Sequence, residues 1–113
     1  MAGYFELRRN AAGQYSFVLK AGNHEVILRS EQYESRGAAE GGIASVQKNA
    51  ADAARYRREQ ASDGRHYFNL CAANHQVIGS SQMYASEAGR DQGVASVQAN
   101  GGSADIRDLS GEA

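Results

Sequence analysis

A shift of 51 residues lays the chain over itself without a gap, and this internal duplication constrains the fold more than any other feature. Gly13–Leu19 lies over Gly64–Leu70, Ala21–Ile27 over Ala72–Ile78, Ser30–Ser35 over Ser81–Ser86, and Gly42–Asn49 over Gly93–Asn100. Across residues 13–49 and their mates, 17 of 37 positions are identical. Whatever one half folds into, the other must fold into as well. The chain has 113 residues, so each half is too small to bury a secure core alone and the two are expected to share one. The units are read as residues 10–58 and 61–109, together one globular domain.

Each unit reads alike. Tyr15, Phe17 and Leu19 alternate with Ser16, Val18 and Lys20, the period of a strand with one buried face, and His66, Phe68 and Leu70 repeat it. Asn23-His24 and Asn74-His75 mark tight turns, with Asn expected at positive φ. Val26–Leu28 and Val77-Ile78 are the returning strands. Ser35 and Ser86 are expected to cap helices, with Ala39, Ile43, Val46 and Ala50 forming the apolar stripe of the first and Val94 and Val97 that of the second. Gly42 and Gly93 at the stripe's edge predict close helix–sheet approach, and Asn49 and Asn100 suit left-handed helix stops. Tyr4–Leu7 precedes the first hairpin, Arg55–Arg57 holds the matching place before the second, and Asp105–Leu109 adds a last strand. The expected fold is α+β: two tandem β-β-β-α-β repeats sharing one mainly antiparallel sheet, with both helices on one face.

The run Tyr67-Phe68-Asn69-Leu70, then Ala72-Ala73-Asn74, Val77-Ile78-Gly79, Ser81–Ser86 and Arg90–Val97, resembles the YegP-like family of uncharacterised bacterial proteins. That family is defined by a short domain of unknown function, often in tandem. The resemblance covers nearly the whole chain in both copies. It implies strands exchanged between the two units and supplies no catalytic residue, cofactor or substrate. His24 and His75 depart from the family pattern, which often has glycine after the Asn.

Composition excludes several function classes. Net charge is −1, so no global field recruits nucleic acid or an anionic membrane. No apolar run approaches the ~18 residues of a membrane span, and Met1–Glu6 lacks the basic-then-apolar pattern of a secretory signal. The lone Cys71 excludes an intramolecular disulfide and suits a reducing cytoplasm. Charge is uneven, with Arg55–Arg58 locally basic and Asp105–Glu112 mildly acidic.

Searches for chemistry end in structural readings. His24 and His75 recur at turns, but two ligands are too few for a structural metal site, and His66 is read as a part-buried strand residue. Cys71, whose repeat mate is Lys20, is read as an incidental thiol. Ser45 falls mid-helix rather than at a nucleophile elbow, and neither Gly41-Gly42 nor Gly101-Gly102 opens a phosphate-binding helix. Glu31, Glu34, Glu40 and Asp91 are scattered over polar positions. No catalytic residue, metal or cofactor is therefore expected.

One surface remains. Alternation sends Phe5, Leu7, Tyr56, Phe68 and Leu70 inward and leaves Tyr4, Arg8, Lys20, Arg55, Arg57 and Tyr67 on the sheet face away from the helices. These six are the candidate binding residues of a non-enzymatic interaction module, as monomer or homodimer, with a protein or small-ligand partner. A weak nucleic-acid binder using the same Tyr/Arg face is the second reading.

Overall fold

The computed structural model describes residues 3–111. Met1 and Ala2 of the start inspected for a targeting signal, and Glu112 of the acidic tail, lie outside them. In chain order the elements are β1 (Tyr4–Arg9), β2 (Tyr15–Lys20), β3 (Val26–Arg29), α1 (Arg36–Asn49), a 3-10 turn (Ala53–Arg55), β4 (Tyr56–Gln60), β5 (His66–Cys71), β6 (Val77–Ser80), α2 (Glu87–Asn100) and β7 (Ile106–Asp108).

Four hairpin turns share one geometry, which explains how so short a chain makes so many strands. In each, the first residue's N–H donates to the carbonyl four residues on, and the fourth residue's N–H donates back to the first carbonyl: Asn10 and Gln14, Ala21 and Glu25, Ala61 and Arg65, Ala72 and Gln76. The fourth residue must then be left-handed, as in a type I turn closed by a one-residue bulge. Gly13 (φ 83°) and Gly64 (φ 89°) take that place in two turns, and His24 and His75 (both φ 70°) in the others. The expectation that Asn would be left-handed is thus corrected. Asn23 and Asn74 instead use their Oδ1 to accept the N–H of Glu25 and Gln76, so the burden passes to the residue behind them.

Ser35 and Ser86 cap the helices as expected, accepting from the N–H of Ala38 and Gly89. Helix termination differs from the sequence reading. Asn49 and Asn100 are the last helical residues, and Ala50 and Gly101 beyond them stay right-handed (φ −60° and −68°). Each Asn amide donates to a carbonyl one turn back, that of Ser45 or Ser96, so the side chain is spent on the helix rather than on leaving it.

The seven strands form one mixed sheet in the order β4-β5-β6-β3-β2-β1-β7. Units exchange strands, as the resemblance implied: β4, which follows α1, pairs with β5, and β7, which follows α2, pairs with β1. The β1–β7 pair is parallel and the others antiparallel. Ile43 and Val46 of α1 join Val94 and Val97 of α2 in a single core with Phe5, Leu7, Phe17, Leu19, Phe68 and Leu70, so both helices cover one face. Phe5, Phe17 and Phe68 are buried to 1% exposure or less, each worth roughly 1.5–3 kcal/mol of transfer free energy.

Gly42 shows why the helix stripe carries glycine. A Cβ there would sit 2.5 Å from the Tyr33 hydroxyl and 2.9 Å from the Phe17 ring. The obstacle is therefore chiefly a tyrosine from the segment preceding the helix, wedged between helix and sheet. That segment is fixed by a short bridge, in which Tyr15 and Tyr33 exchange backbone hydrogen bonds of 2.7 and 2.6 Å. His66 and Tyr84 repeat the arrangement in the second half.

Candidate functional site

The face opposite the helices has no element over it, and its side chains fall into one row that crosses the whole sheet. The strand registers align Arg107, Glu6, Val18, Arg29, Ser80, Asn69 and Arg57, from β7 to β4. Arg8 and Lys20 flank Glu6 on this face, and Tyr67 and Glu59 stand beside Asn69 and Arg57.

The structure sorts the six predicted residues into four groups. Tyr4 is on the predicted side but is 3% exposed rather than open. The Arg107 guanidinium lies 3.7 Å from the centre of its ring, and its hydroxyl is 2.8 Å from Nδ1 of His24, whose ring meets it edge-on at 5.8 Å. Alternation gives a residue's side but cannot reveal that a cation from β7 will lie on it. Arg8 and Lys20 converge on Glu6, at 2.7 and 3.1 Å. The Arg8 hydrogen bond holds the Glu6 carboxyl below the usual carboxylate range against the opposing effect of burial, with Lys20 adding to the lowering. This cluster holds two cations on one carboxylate and keeps a net charge of +1.

Arg55 requires a correction. It lies in the 3-10 turn before β4 rather than on the strand, with Nε 3.5 Å from Asp52. Asp52 caps that turn through the Ala54 N–H, which delays the strand by one residue. Arg57 is exposed on β4, and Tyr67 is half-buried on β5. Two residues that the sequence reading did not select, Arg29 and Arg107, belong to the same face. Arg29 was legible as the residue after the inward Leu28, by the alternation used elsewhere. Arg107 required the parallel docking of β7, for which the sequence holds no local signal.

Arg29 and Arg57 are exposed and make no ion pair or side-chain hydrogen bond among the described residues. They stand three strands apart in one row, about 14 Å at roughly 4.8 Å per strand. Between them Ser80 donates to Asn69 at 2.7 Å, leaving a polar floor.

The remaining candidates have structural surroundings. Ser30 and Ser81 accept the N–H of Phe17 and Phe68, each at 2.9 Å, and donate to the next residue's carbonyl. Cys71 is a free thiol, 4% exposed, on β5. Among the described residues no three His, Cys, Asp or Glu side chains are grouped so as to hold a metal ion, and no helix is long and apolar enough to cross a membrane.

Comparison with known proteins adds kinship without chemistry. The model of a domain of unknown function, DUF1508, matches residues 10–56 and again residues 61–108. The chain is 58% identical to a UPF0339 protein of Acinetobacter baylyi, over 98% of this chain and 100% of that one. It is 56% identical to the UPF0339 protein YegP of Escherichia coli K12, over 96% and 98%. The solution NMR structure of yegP from E. coli, a protein of unknown function, matches with a TM-score of 0.93 at 55% identity, covering 100% of this chain and 97% of that one. That of a UPF0339 protein from Shewanella oneidensis matches with a TM-score of 0.92 at 53% identity, over 97% and 93%.

Proposed function

The chain belongs to the DUF1508 family, carrying two copies of its domain, and we propose that it is a non-enzymatic binding module that docks an acidic protein partner on the open face of its sheet. The observation that carries this reading is the pair Arg29 and Arg57, exposed in one register row and, among the described residues, without a partner and on a face that no helix covers. Unpaired guanidiniums at a fixed spacing suit carboxylates on an opposing surface, because each fork can take a carboxylate bidentately. The polar Ser80–Asn69 floor supports the same use, since it offers hydrogen bonds without an apolar patch that would drive aggregation. Tyr67 beside Arg57 supplies the aromatic surface that interfaces favour.

What supports the non-enzymatic part is the use of the reactive side chains in structure. His24 holds Tyr4, Ser35 and Ser86 cap helices, and Cys71 is packed away. A free, buried thiol also suits a cytoplasmic location.

The test is capture from bacterial lysate on the immobilised chain, at low and moderate salt, identifying protein and nucleic acid together. An acidic protein retained by the natural chain, weakened by salt and lost with Arg29→Ala plus Arg57→Ala, is the expected result. Equal retention by the double variant overturns the assignment to this face. Retention of nucleic acid alone, again lost in the variant, replaces it with the second reading.

A further inference from the structure

On the helix side of the molecule a cavity of about 260 Å³ opens between the two repeats. One wall is the first hairpin's turn, which supplies Glu25, with Ile27 at its base. The other is the second repeat, which supplies Gln82 and Tyr84 from the segment before α2, and Gln92 and Ser96 from α2 itself. The site exists because α2 is thin there. A Cβ at Gly93 would collide with the Tyr84 hydroxyl, so glycine lets the phenol lie against the helix at the edge of the cavity that Tyr84 and Gly93 both line.

The side chains of Glu25, Gln82, Tyr84 and Gln92 form no hydrogen bond or ion pair among the described residues. Four unpartnered polar groups from three separate segments thus line one hollow. Among the described residues Glu25 is its only ionisable group besides the Tyr84 phenol, and none of them brings a cation to its lining. Ser96 Oγ lies 3.4 Å from the Asn100 amide, from which it accepts, so its own proton is free to donate.

The repeat supplies a second observation. The mates of Glu25 and Gln82 are Gln76 and Glu31, so the carboxylate and the carboxamide have changed walls while each set has kept one of each. Tyr33 and Ser45 match Tyr84 and Ser96. In that copy burial, with Glu31 adding to it, raises the Tyr33 phenol, so a negative charge stands near the equivalent hydroxyl. One carboxylate, one carboxamide and the tyrosine therefore recur at these positions in both halves, although 20 of the 37 aligned positions differ.

We propose that this cavity binds an alkylammonium group, with Glu25 neutralising the charge, Tyr84, Gln82 and Gln92 taking its N–H hydrogen bonds, and Ile27 receiving the start of the carbon stem. The net negative lining selects a cation. Ammonium fits better than guanidinium because acceptors carried by three separate segments suit its three divergent donors rather than a planar fork. The size suits a small ligand, since the hollow is below the 300–1,000 Å³ typical of sites for larger molecules. A free amine and a lysine side chain share this chemistry.

The test is an NMR titration of the isotope-labelled natural chain with 1,4-diaminobutane and, separately, with lysine capped at both its α-amino and carboxyl groups. Butanol and sodium chloride serve as controls. Saturable shifts confined to the backbone and side-chain amides of Gln82, Tyr84, Gln92 and Gly93 are expected with either amine, and neither control should produce them. The amine that binds more tightly identifies the source as free metabolite or protein lysine. Glu25→Gln should weaken binding by about tenfold or more, and Tyr84→Phe by a few fold, with spectra elsewhere unchanged. Neither side chain has a partner in the fold, so both variants are expected to fold. Absence of saturation with both amines up to about 50 mM, or unchanged affinity in Glu25→Gln, overturns the proposal. Because the cavity and the open sheet face share no residue, Arg29→Ala plus Arg57→Ala should leave amine binding intact.

Discussion

The two left-handed histidines offer a controlled comparison, because they occupy the same turn, the same φ and the same repeat position, yet among the described residues only the His24 side chain has a partner. A non-glycine residue in the left-handed region costs roughly 1–2 kcal/mol, and replacing it with glycine returns that amount less the ~0.5–1 kcal/mol of extra freedom glycine has when unfolded. His75→Gly should therefore stabilise the chain by roughly 0.5–1 kcal/mol. His24→Gly gains the same relief but loses the 2.8 Å bond to the Tyr4 hydroxyl and the edge-on contact with its ring. Those together are worth about 1–2 kcal/mol, so this variant should be neutral to slightly destabilised.

Urea unfolding separates the two. With a slope of about 1.5 kcal/mol per molar, His75→Gly should raise the midpoint by about 0.3–0.7 M at unchanged slope, and His24→Gly should leave it level or lower. A cycle with Tyr4→Phe closes the case. Removing the hydroxyl should cost stability in the natural chain and almost nothing once His24 is glycine. A lowered midpoint for His75→Gly, or equal shifts for both histidines, would refute the reasoning.

Three further outcomes follow from the packing. Gly41 and Gly42 are neighbours of opposite sign: a Cβ at Gly41 meets nothing within 4 Å, whereas one at Gly42 meets Tyr33 and Phe17. Thermal unfolding should show Gly41→Ala stabilised by up to ~1 kcal/mol through helix propensity and Gly42→Ala destabilised by ~1–3 kcal/mol through overpacking. The Tyr56 hydroxyl donates to the Ala50 carbonyl at 2.6 Å in the interior, and burial raises its phenol far above the usual range. Tyr56→Phe leaves that carbonyl unpaired and should cost ~1–3 kcal/mol in a urea midpoint measurement. Glu6 is held below its unfolded pKa by Arg8, so its stabilising effect is complete above about pH 4.3 and is lost as pH falls through the folded value. Stability measured from pH 3 to 6 should fall less steeply on the acid side in Glu6→Gln.

The sequence carried the elements further than the site. Period-two alternation located β2 and β5, and the spacing of Ala39, Ile43, Val46 and Ala50 located the buried side of α1, because both signals are local and the core rewards them directly. The serine caps were legible for the same reason. What local pattern could not supply was occupancy. Tyr4 reads as an exposed strand residue until β7 arrives from a hundred residues away and lays Arg107 over it. The cavity was harder still to foresee, since its walls are the turn after β2 and the segment before α2, which only the β3–β6 pairing and the packing of α2 over β2 and β3 bring together. The repeat nevertheless held a signal for it, in the exchanged Glu and Gln at positions 25, 82, 76 and 31.

Duplication also explains why the open face is not symmetric. In the repeat register β4 is the mate of β1, and β7 is the mate of β4. β4 follows α1 and takes the place beside β5, but the corresponding place beside β2 is already filled by β1, so β7 docks outside it and runs parallel. One half of the sheet thereby acquires an extra strand that the other lacks. Charge follows the same division. Glu6 and Arg8 on β1 become Arg57 and Glu59 on β4, Lys20 becomes Cys71, and Tyr4 becomes Arg55. In the first half the carboxylate sits where β7, Arg8 and Lys20 can enclose it, and the cluster closes on itself. In the second half an exposed arginine holds the equivalent position, with no strand beyond it and no partner among the described residues, while the residue in the lysine's place is a buried thiol. That the Arg57 guanidinium has no partner among the described residues thus follows from β4 being an edge of the sheet, whereas the matching carboxylate on β1 is held by two cations.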